Sequence, residues 1–318
     1  MALVELHKLN GDTSWLIRLP RDPTQDAKDS TFYNLVLDPW LHPTPQVDGS
    51  PIFSRQTRIE PASSKSLAEL DHWLSSQSTR ERIDAVLFSH PFSDHLHEDS
   101  ISDADSLGVL QRATIFTTGD SLSAFRSLKI AKSLYRSKII DISSAMVKRD
   151  ADQHSYTPSG ISVEHLPAKD WAMSPAWSKL HGGILISCSN GANTTQILYS
   201  PHGMTPKSLP ASLLPKDAAA GKQEQKRVLI HSFDRQTLPL IGTVACGFPN
   251  IIDLIPTFKP DIVLATHDEH KQGEGIVGRL LSREAFALQE AKRLVEERHP
   301  DSGAVLKQLQ PGEHLSIS

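Results

Sequence analysis

The segment Phe88-Ser89-His90-Pro91-Phe92-Ser93-Asp94-His95-Leu96-His97 concentrates the side chains best suited to holding a metal ion. Three histidines and an aspartate fall within eight residues, directly after an apolar run that reads as a buried strand. Loops at strand ends are where a scaffold presents reactive groups. Imidazole nitrogen and carboxylate oxygen are ligands for zinc, manganese or iron. Adjacent Asp94 and His95 reach one ion only from a tight loop, which a Ser-Asp start favours. The bland reading is a polar loop whose histidines are solvated or cap the next helix. Fifteen histidines occur in the 318 residues, and His202 and His267 also follow strand-like runs. Only two cysteines are present, Cys188 and Cys246, too few for a disulfide framework or a thiolate cage. A reducing cytoplasm is the simplest home for such a chain.

The elements that must position these residues are legible in the hydrophobic pattern. Residues 2–9, 14–19 and 33–37 read as strands, 43–64 as a long loop, and 83–88 as a strand buried on both sides. Ser66 starts a helix with Leu67, Leu70, Trp73 and Leu74 on one face. Strands and helices then alternate: strand 114–117, helix 121–128, strand 138–142. Further strands are expected at 161–166, 183–188, 195–199, 228–232 and 261–265. Residues 251–258 read as helical, 242–247 as a helix-packing Gly stretch, and 278–297 as one long helix. Residues 314–317 form a last strand. Residues 205–227 lack an apolar period and read as a surface insertion. Two β-rich halves with helices suit two sheets packed face to face with helices outside, in a single domain spanning 1–318.

Composition excludes several classes. The formal net charge is −4, with 38% hydrophobic and 22% charged residues. Nothing points to nucleic acid or an anionic membrane as partner, and no apolar run is long enough for a transmembrane helix. Neither a Gly-x-Gly-x-x-Gly turn nor a P-loop is present.

The metal-ligand segment resembles the His-x-His-x-Asp-His signature of the metallo-β-lactamase superfamily, with His90, Asp94 and His95 in place and Phe92 where the second histidine belongs. Other landmarks follow in order. Asn34 to Asp38 resembles the early strand ending in an aspartate. Ile197 to Gly203 resembles the strand that normally ends in Gly-Asp, Ile262 to His267 the late strand ending in a ligand histidine, and Gln310-Pro311-Gly312-Glu313 the last turn. The flavour is that of the lactonase-like and N-acyl-phosphatidylethanolamine phospholipase-like branch. The resemblance implies a four-layer αββα sandwich. It also implies that one of the family's two metal sites is damaged. Phe92 replaces one ligand, and after the strand Ile161 to Ala168 come Lys169 and Asp170 instead of a histidine. His202 stands at the usual bridging aspartate. The residues left point to a mononuclear site of Asp94, His95, His202 and His267, with His90 as a weaker ligand and zinc as the first choice, ahead of manganese or iron.

The expected activity is metal-dependent hydrolysis of a small-molecule ester, lactone, amide or phosphoester by water made acidic at the ion. Asp94 holds the metal and orients that water. Lys169, Asp170 or Lys271 bind substrate or assist proton transfer, and Trp40, Trp171 and Trp177 wall the pocket. His97 and His270 are candidates to support the ligands, His181 lines the pocket at best, and His231 is an ordinary polar position. A silent ligand-binding protein on the same fold is the alternative. A third reading rests on Gly119-Asp120-Ser121-Leu122, which resembles the opening block of GDSL-type serine esterases. The bland explanation is that Asp120 or Ser121 caps a helix.

Overall fold

The computed structural model describes residues 4–21, 31–144, 156–169, 177–189, 193–213, 224–239 and 241–317. The chain opens with strands β1 (Val4–Lys8), β2 (Trp15–Pro20), β3 (Phe32–Leu37), β4 (Gln46–Asp48) and β5 (Ser54–Thr57). Then come α1 (Leu67–Gln77), β6 (Ile83–Phe88), α2 (Ala104–Arg112), β7 (Thr114–Thr117), α3 (Gly119–Ser127) and β8 (Lys138–Asp141). The middle holds β9 (Ile161–Pro167), α4 (Trp177–Leu180), β10 (Gly182–Ser189), β11 (Asn193–Ser200), β12 (Glu224–His231), β13 (Arg235–Leu238) and β14 (Gly242–Ala245). Last are α5 (Phe248–Phe258), β15 (Ile262–Ala265), β16 (Gln272–Glu274), α6 (Gly275–Leu280), β17 (Ser282–Glu284), α7 (Leu288–Arg298), β18 (Val305–Lys307) and β19 (His314–Ile317).

Contacts divide these elements into two compact units. The first comprises residues 1–161, 269–278 and 310–318, the second 162–268 and 279–309. Unit 1 is built on a seven-stranded sheet of order β19-β1-β2-β3-β6-β7-β8, with β16-β5-β4 as a small separate sheet. β3, β6, β7 and β8 run parallel, so β3, β6 and β7 release their chain at the same edge. The core under this sheet joins Val36, Val86, Phe88 and Ile115 to Leu67, Leu70 and Leu74 of α1 and Phe125 of α3. α1 begins where expected. Ser66 accepts from the Glu69 N–H at 3.2 Å, and the Glu69 carboxylate accepts from the Lys65 N–H at 2.6 Å. Trp73, expected on the inner face, is instead 37% exposed.

Unit 2 carries a six-stranded sheet of order β18-β15-β12-β11-β10-β9 and a small sheet β14-β13-β17. β11, β12, β15 and β18 are parallel, so their carboxyl ends also share an edge. Its core joins Leu198, Leu229 and Val263 to Phe248, Ile251, Leu254 and Phe258 of α5 and Ala291 and Val295 of α7.

Several expectations are corrected. The expected loop 43–64 contains the hairpin β4–β5. The expected helix 278–297 is broken. β17 interrupts it and pairs with β13, and only α7 keeps the helical burial pattern, through Ala291 and Val295. The stretch 242–247 is strand β14 followed by Gly247 at φ 63, opening α5. A Cβ at Gly247 would lie 2.5 Å from the Arg235 nitrogen, so the position admits no side chain. In the expected surface insertion, Leu209 and Leu213 are buried in the unit 2 core and β12 begins at Glu224, while 214–223 lie outside the described residues.

Candidate metal centre

In unit 1, Asp38 follows β3 and Ser89-His90 follow β6, at the carboxyl ends of adjacent parallel strands. Such ends are where open α/β sheets place ligands. The chain turns there immediately: the His95 and Leu96 amides both donate to the Phe92 carbonyl, at 3.0 and 2.8 Å. The turn is pinned from outside. The Ser93 amide donates to Asp48 Oδ1 at 2.9 Å, Ser93 Oγ to Gln46 Oε1 at 2.6 Å, and Thr13 Oγ1 to the Asp94 carbonyl at 2.7 Å.

Within this frame the three expected ligands of unit 1 come together. His90 and His95 have ring centroids 4.6 Å apart, and His95 Nε2 lies 3.8 Å from Asp94 Oδ1. All three are buried. Asp38 organises them. Its Oδ2 accepts from His95 Nδ1 at 2.7 Å and from the Ser89 hydroxyl, and its Oδ1 accepts from the Ser89 amide at 2.7 Å. The Ser89 hydroxyl, whose hydrogen points at Asp38, accepts from His90 Nδ1 at 2.7 Å. Both imidazoles therefore carry their proton on Nδ1 and present the Nε2 lone pair, the form a metal ligand needs. Asp38 holds this post at φ 46, a left-handed conformation rare outside glycine.

Burial pushes the His95 pKa down, but Asp94 and Asp38 outweigh it and the net direction is up. The field that favours a proton on His95 equally favours a cation held at its nitrogen. Lys271 is also in this unit, its side chain 6% exposed, with Nζ 2.9 Å from Asp12 Oδ2 and 3.7 Å from Asp94 Oδ2.

In unit 2, His202 follows β11 and His267 follows β15, again at the carboxyl ends of parallel strands. Their rings stand edge to face with centroids 4.8 Å apart, and both are buried. His202 Nδ1 donates to the Val244 carbonyl at 3.2 Å, which again puts the ring proton on Nδ1. The His202 carbonyl accepts from the Cys246 amide at 2.9 Å, so β14 and the residue after it hold His202 by ring and backbone. Gly203 sits at φ 100, where a Cβ would lie 2.6 Å from the Cys246 Cβ. His267 is at φ 60. The following Asp268 accepts the amides of Phe233 and Asp234 at 2.9 Å each and so fixes the His267 turn. Within unit 1, the buried imidazoles of His90 and His95 with their Nδ1 atoms held, beside the Asp94 carboxylate, form a donor set that fits a divalent ion of the zinc, manganese or iron type.

Other expected residues have contacts of their own where they are described. Lys169 donates its backbone amide to Ser208 Oγ at 3.0 Å, within unit 2. Asp170 and Trp171 lie outside the described residues. Trp40 is fully buried with Nε1 donating to the Thr44 carbonyl at 3.2 Å, so it packs the interior instead of walling a pocket. His97 bonds Ser100 Oγ at 2.9 Å, and burial drives its pKa down to about 4. His270 is exposed. His181 bonds the Thr243 carbonyl at 3.3 Å, with the Cys246 sulfur 3.7 Å from its other nitrogen. His231, expected to be an ordinary polar position, is fully buried, with Asn250 Oδ1 at 3.0 Å from its Nε2. Ser121 is also fully buried, inside α3, with its hydroxyl 2.7 Å from Thr118 Oγ1. Thr118, not Asp120 or Ser121, caps that helix, accepting from the Ser121 amide at 3.3 Å. A hydroxyl so enclosed is no esterase nucleophile. Asp12 and the supporting role of Asp38 escape a reading of the sequence. An aspartate ending a strand before a Pro is the one local signal for Asp38; Asp12 carries none.

No protein-family model matches the chain, and no curated protein matches it. Solved structures do. The metallo hydrolase Igni18 of the hyperthermophilic archaeon Ignicoccus hospitalis superposes with a TM-score of 0.51 at 15% identity, covering 100% of this chain and 99% of that one. The isothiocyanate hydrolase from Delia radicum gut bacteria gives 0.56 at 14% identity, covering 99% of each. Yeast PDE1 gives 0.51 at 12% identity, covering 100% of each.

Proposed function

We propose that the protein, whose mixed α/β fold is of the metallo-β-lactamase type shared with metallo hydrolases, is a metal-dependent hydrolase of a small molecule carrying an ester, lactone, amide or phosphoester. The carrying observation is the held tautomer of the histidines: Asp38 on His95, Ser89 on His90 and Val244 on His202 each take up Nδ1 and aim Nε2. His90 and His202 also follow the carboxyl ends of parallel strands, where open α/β sheets place ligands. His90, Asp94 and His95 of unit 1 are the proposed ligands of one ion, zinc first, and His202 and His267 of unit 2 are likewise proposed as ligands. When bound, the ion supplies Lewis acidity and lowers the pKa of water toward neutrality.

The chain's own residues have these tasks. Asp38 keeps His95 in its ligating tautomer. Asp94 would help His90 and His95 hold the ion and would orient water at the site. Lys271 and Asp12 hold the other side of Asp94. Lys169 and Asp170 are proposed to bind substrate or carry protons. No helix among the described residues is long and apolar enough to cross a membrane. Together with the net charge of −4 and the two cysteines, this supports a small-molecule substrate and a cytoplasmic setting over nucleic acid or membrane partners.

The test pairs metal content with turnover. Protein purified without chelator is analysed for metal, then assayed after zinc, manganese or iron loading against a panel of esters, lactones, phosphodiesters and isothiocyanates, with His95→Ala as control. About one ion per chain and a turnover lost in His95→Ala are expected. Protein that takes up no metal returns the silent binding protein as the better reading. Two ions per chain sink the mononuclear site.

A further inference from the structure

Lys271 is placed against a proposed ligand, with its Nζ facing Asp94 Oδ2. It lies just before β16, which ties to β5 through the pairs Gln272–Thr57 and Glu274–Arg55. Its side chain is 6% exposed, and its Nζ has two carboxylates in reach: Asp12 Oδ2 at 2.9 Å and Asp94 Oδ2 at 3.7 Å. Asp12 is fully buried. Its position is set by the turn after β1. The Asp12 and Ser14 amides both donate to Asn10 Oδ1 at 2.9 Å, and the next residue, Thr13, grips the Asp94 carbonyl. One short turn thus fixes both the ammonium's counter-ion and the backbone of the proposed ligand. The Trp40 ring, 5.6 Å from Nζ, closes another side.

The two oxygens of Asp94 consequently have different work. Oδ1 faces the His95 ligand nitrogen at 3.8 Å, and Oδ2 faces the ammonium at 3.7 Å. Two buried carboxylates that share one space repel each other unless a cation lies between them. A second divalent ion could supply that charge. Here a side chain already does.

We infer that Lys271 is a built-in cation that neutralises the Asp12–Asp94 pair and so holds the metal centre to one ion, with Asp94 engaging that ion through Oδ1 alone. Lys271 is a positioning residue in this role. The inference rests on the metal reading above and adds the reason for its stoichiometry. It follows that the ammonium excludes a second ion by charge: a divalent ion brought to Asp94 Oδ2 would have to displace it and leave it buried beside two positive charges.

The test is a titration of metal-free protein with zinc, read by calorimetry and by metal analysis after gel filtration, with folding checked by circular dichroism. Wild type should take up about one zinc. Lys271→Met, which keeps bulk and removes charge, should take up about two, and Lys271→Arg should return to one. In Lys271→Met/Asp12→Asn the extra zinc should be lost again. Wild type and Lys271→Met both at one would overturn the role of Lys271 and leave the one-ion hydrolase standing. Lys271→Arg at two would also overturn it, because charge would not be the determinant. Two zinc ions in wild type would sink the one-ion reading itself, and none would sink the metal reading. If Lys271→Met does not fold, Asp12→Asn serves. With Asp12 neutral, the ammonium leans wholly on Asp94 and competes with the ion, so zinc binding should weaken by at least about tenfold. Unchanged affinity in folded Asp12→Asn overturns the inference.

Discussion

At His95 one hydrogen bond decides which nitrogen would face the proposed ion. Asp38 Oδ2 accepts from Nδ1 at 2.7 Å, and the carboxylate cannot donate in return. Asparagine tolerates the left-handed backbone of position 38, so Asp38→Asn changes the chemistry with little backbone cost. Its amide would donate to Nδ1 and push the proton to Nε2. Zinc affinity should fall by roughly 10- to 100-fold, measured by competition with a chromogenic chelator, while the protein stays folded. Unaltered affinity would mean that His95 does not ligate through Nε2. Gly203 makes the matching case beside His202. A methyl there meets Cys246 and the Asn250 side chain, whose Oδ1 would lie 2.8 Å away. Gly203→Ala should displace the His202 turn, weakening zinc binding together with stability. A Gly203→Ala protein that binds zinc like wild type would remove His202 from the ligand set.

Among the elements, α3 tests the discarded esterase reading. Its N-terminus depends on Thr118, so Thr118→Ala should cost ~1 kcal/mol in urea unfolding. Ser121→Ala loses one buried hydroxyl contact to Thr118 and should leave any hydrolytic rate unchanged. Abolished turnover in folded Ser121→Ala would revive a serine mechanism. Strand β10 offers a pH test. Burial pushes the Cys188 thiol up from 9.0 to about 11. Above pH 9 the unfolded chain gives up this proton and the folded chain retains it. The contribution is therefore complete below pH 9 and lost as pH rises toward 11, by at most about 2–3 kcal/mol. Cys188→Ala should flatten that alkaline decline relative to wild type in urea midpoints taken between pH 8 and 11. Equal slopes would show that Cys188 ionises as readily in the folded protein as outside it.

For the whole molecule, an ion bound by the folded chain and not by the unfolded one must raise its stability. At a free zinc concentration 100 times Kd the gain is about 2.7 kcal/mol, enough to shift Tm by several degrees. Differential scanning calorimetry with and without zinc, then with chelator, checks this, and an unmoved Tm argues against a metal centre. The sequence by itself determined the alternation of strands and helices, the start of α1 at Ser66, and which residues are candidate donors. These are local properties: apolar period, capping chemistry and residue type can be read along the chain. Only the tertiary structure decided the break of the expected helix 278–297, because β17 exists through hydrogen bonds to β13 and not through its own pattern. The same holds for what surrounds the donors. Asp38 meets His95 from 57 residues away and Asp12 meets Lys271 from 259. Sheet pairing brings such groups together, and a buried charge can choose its partner only once burial has removed water as the alternative.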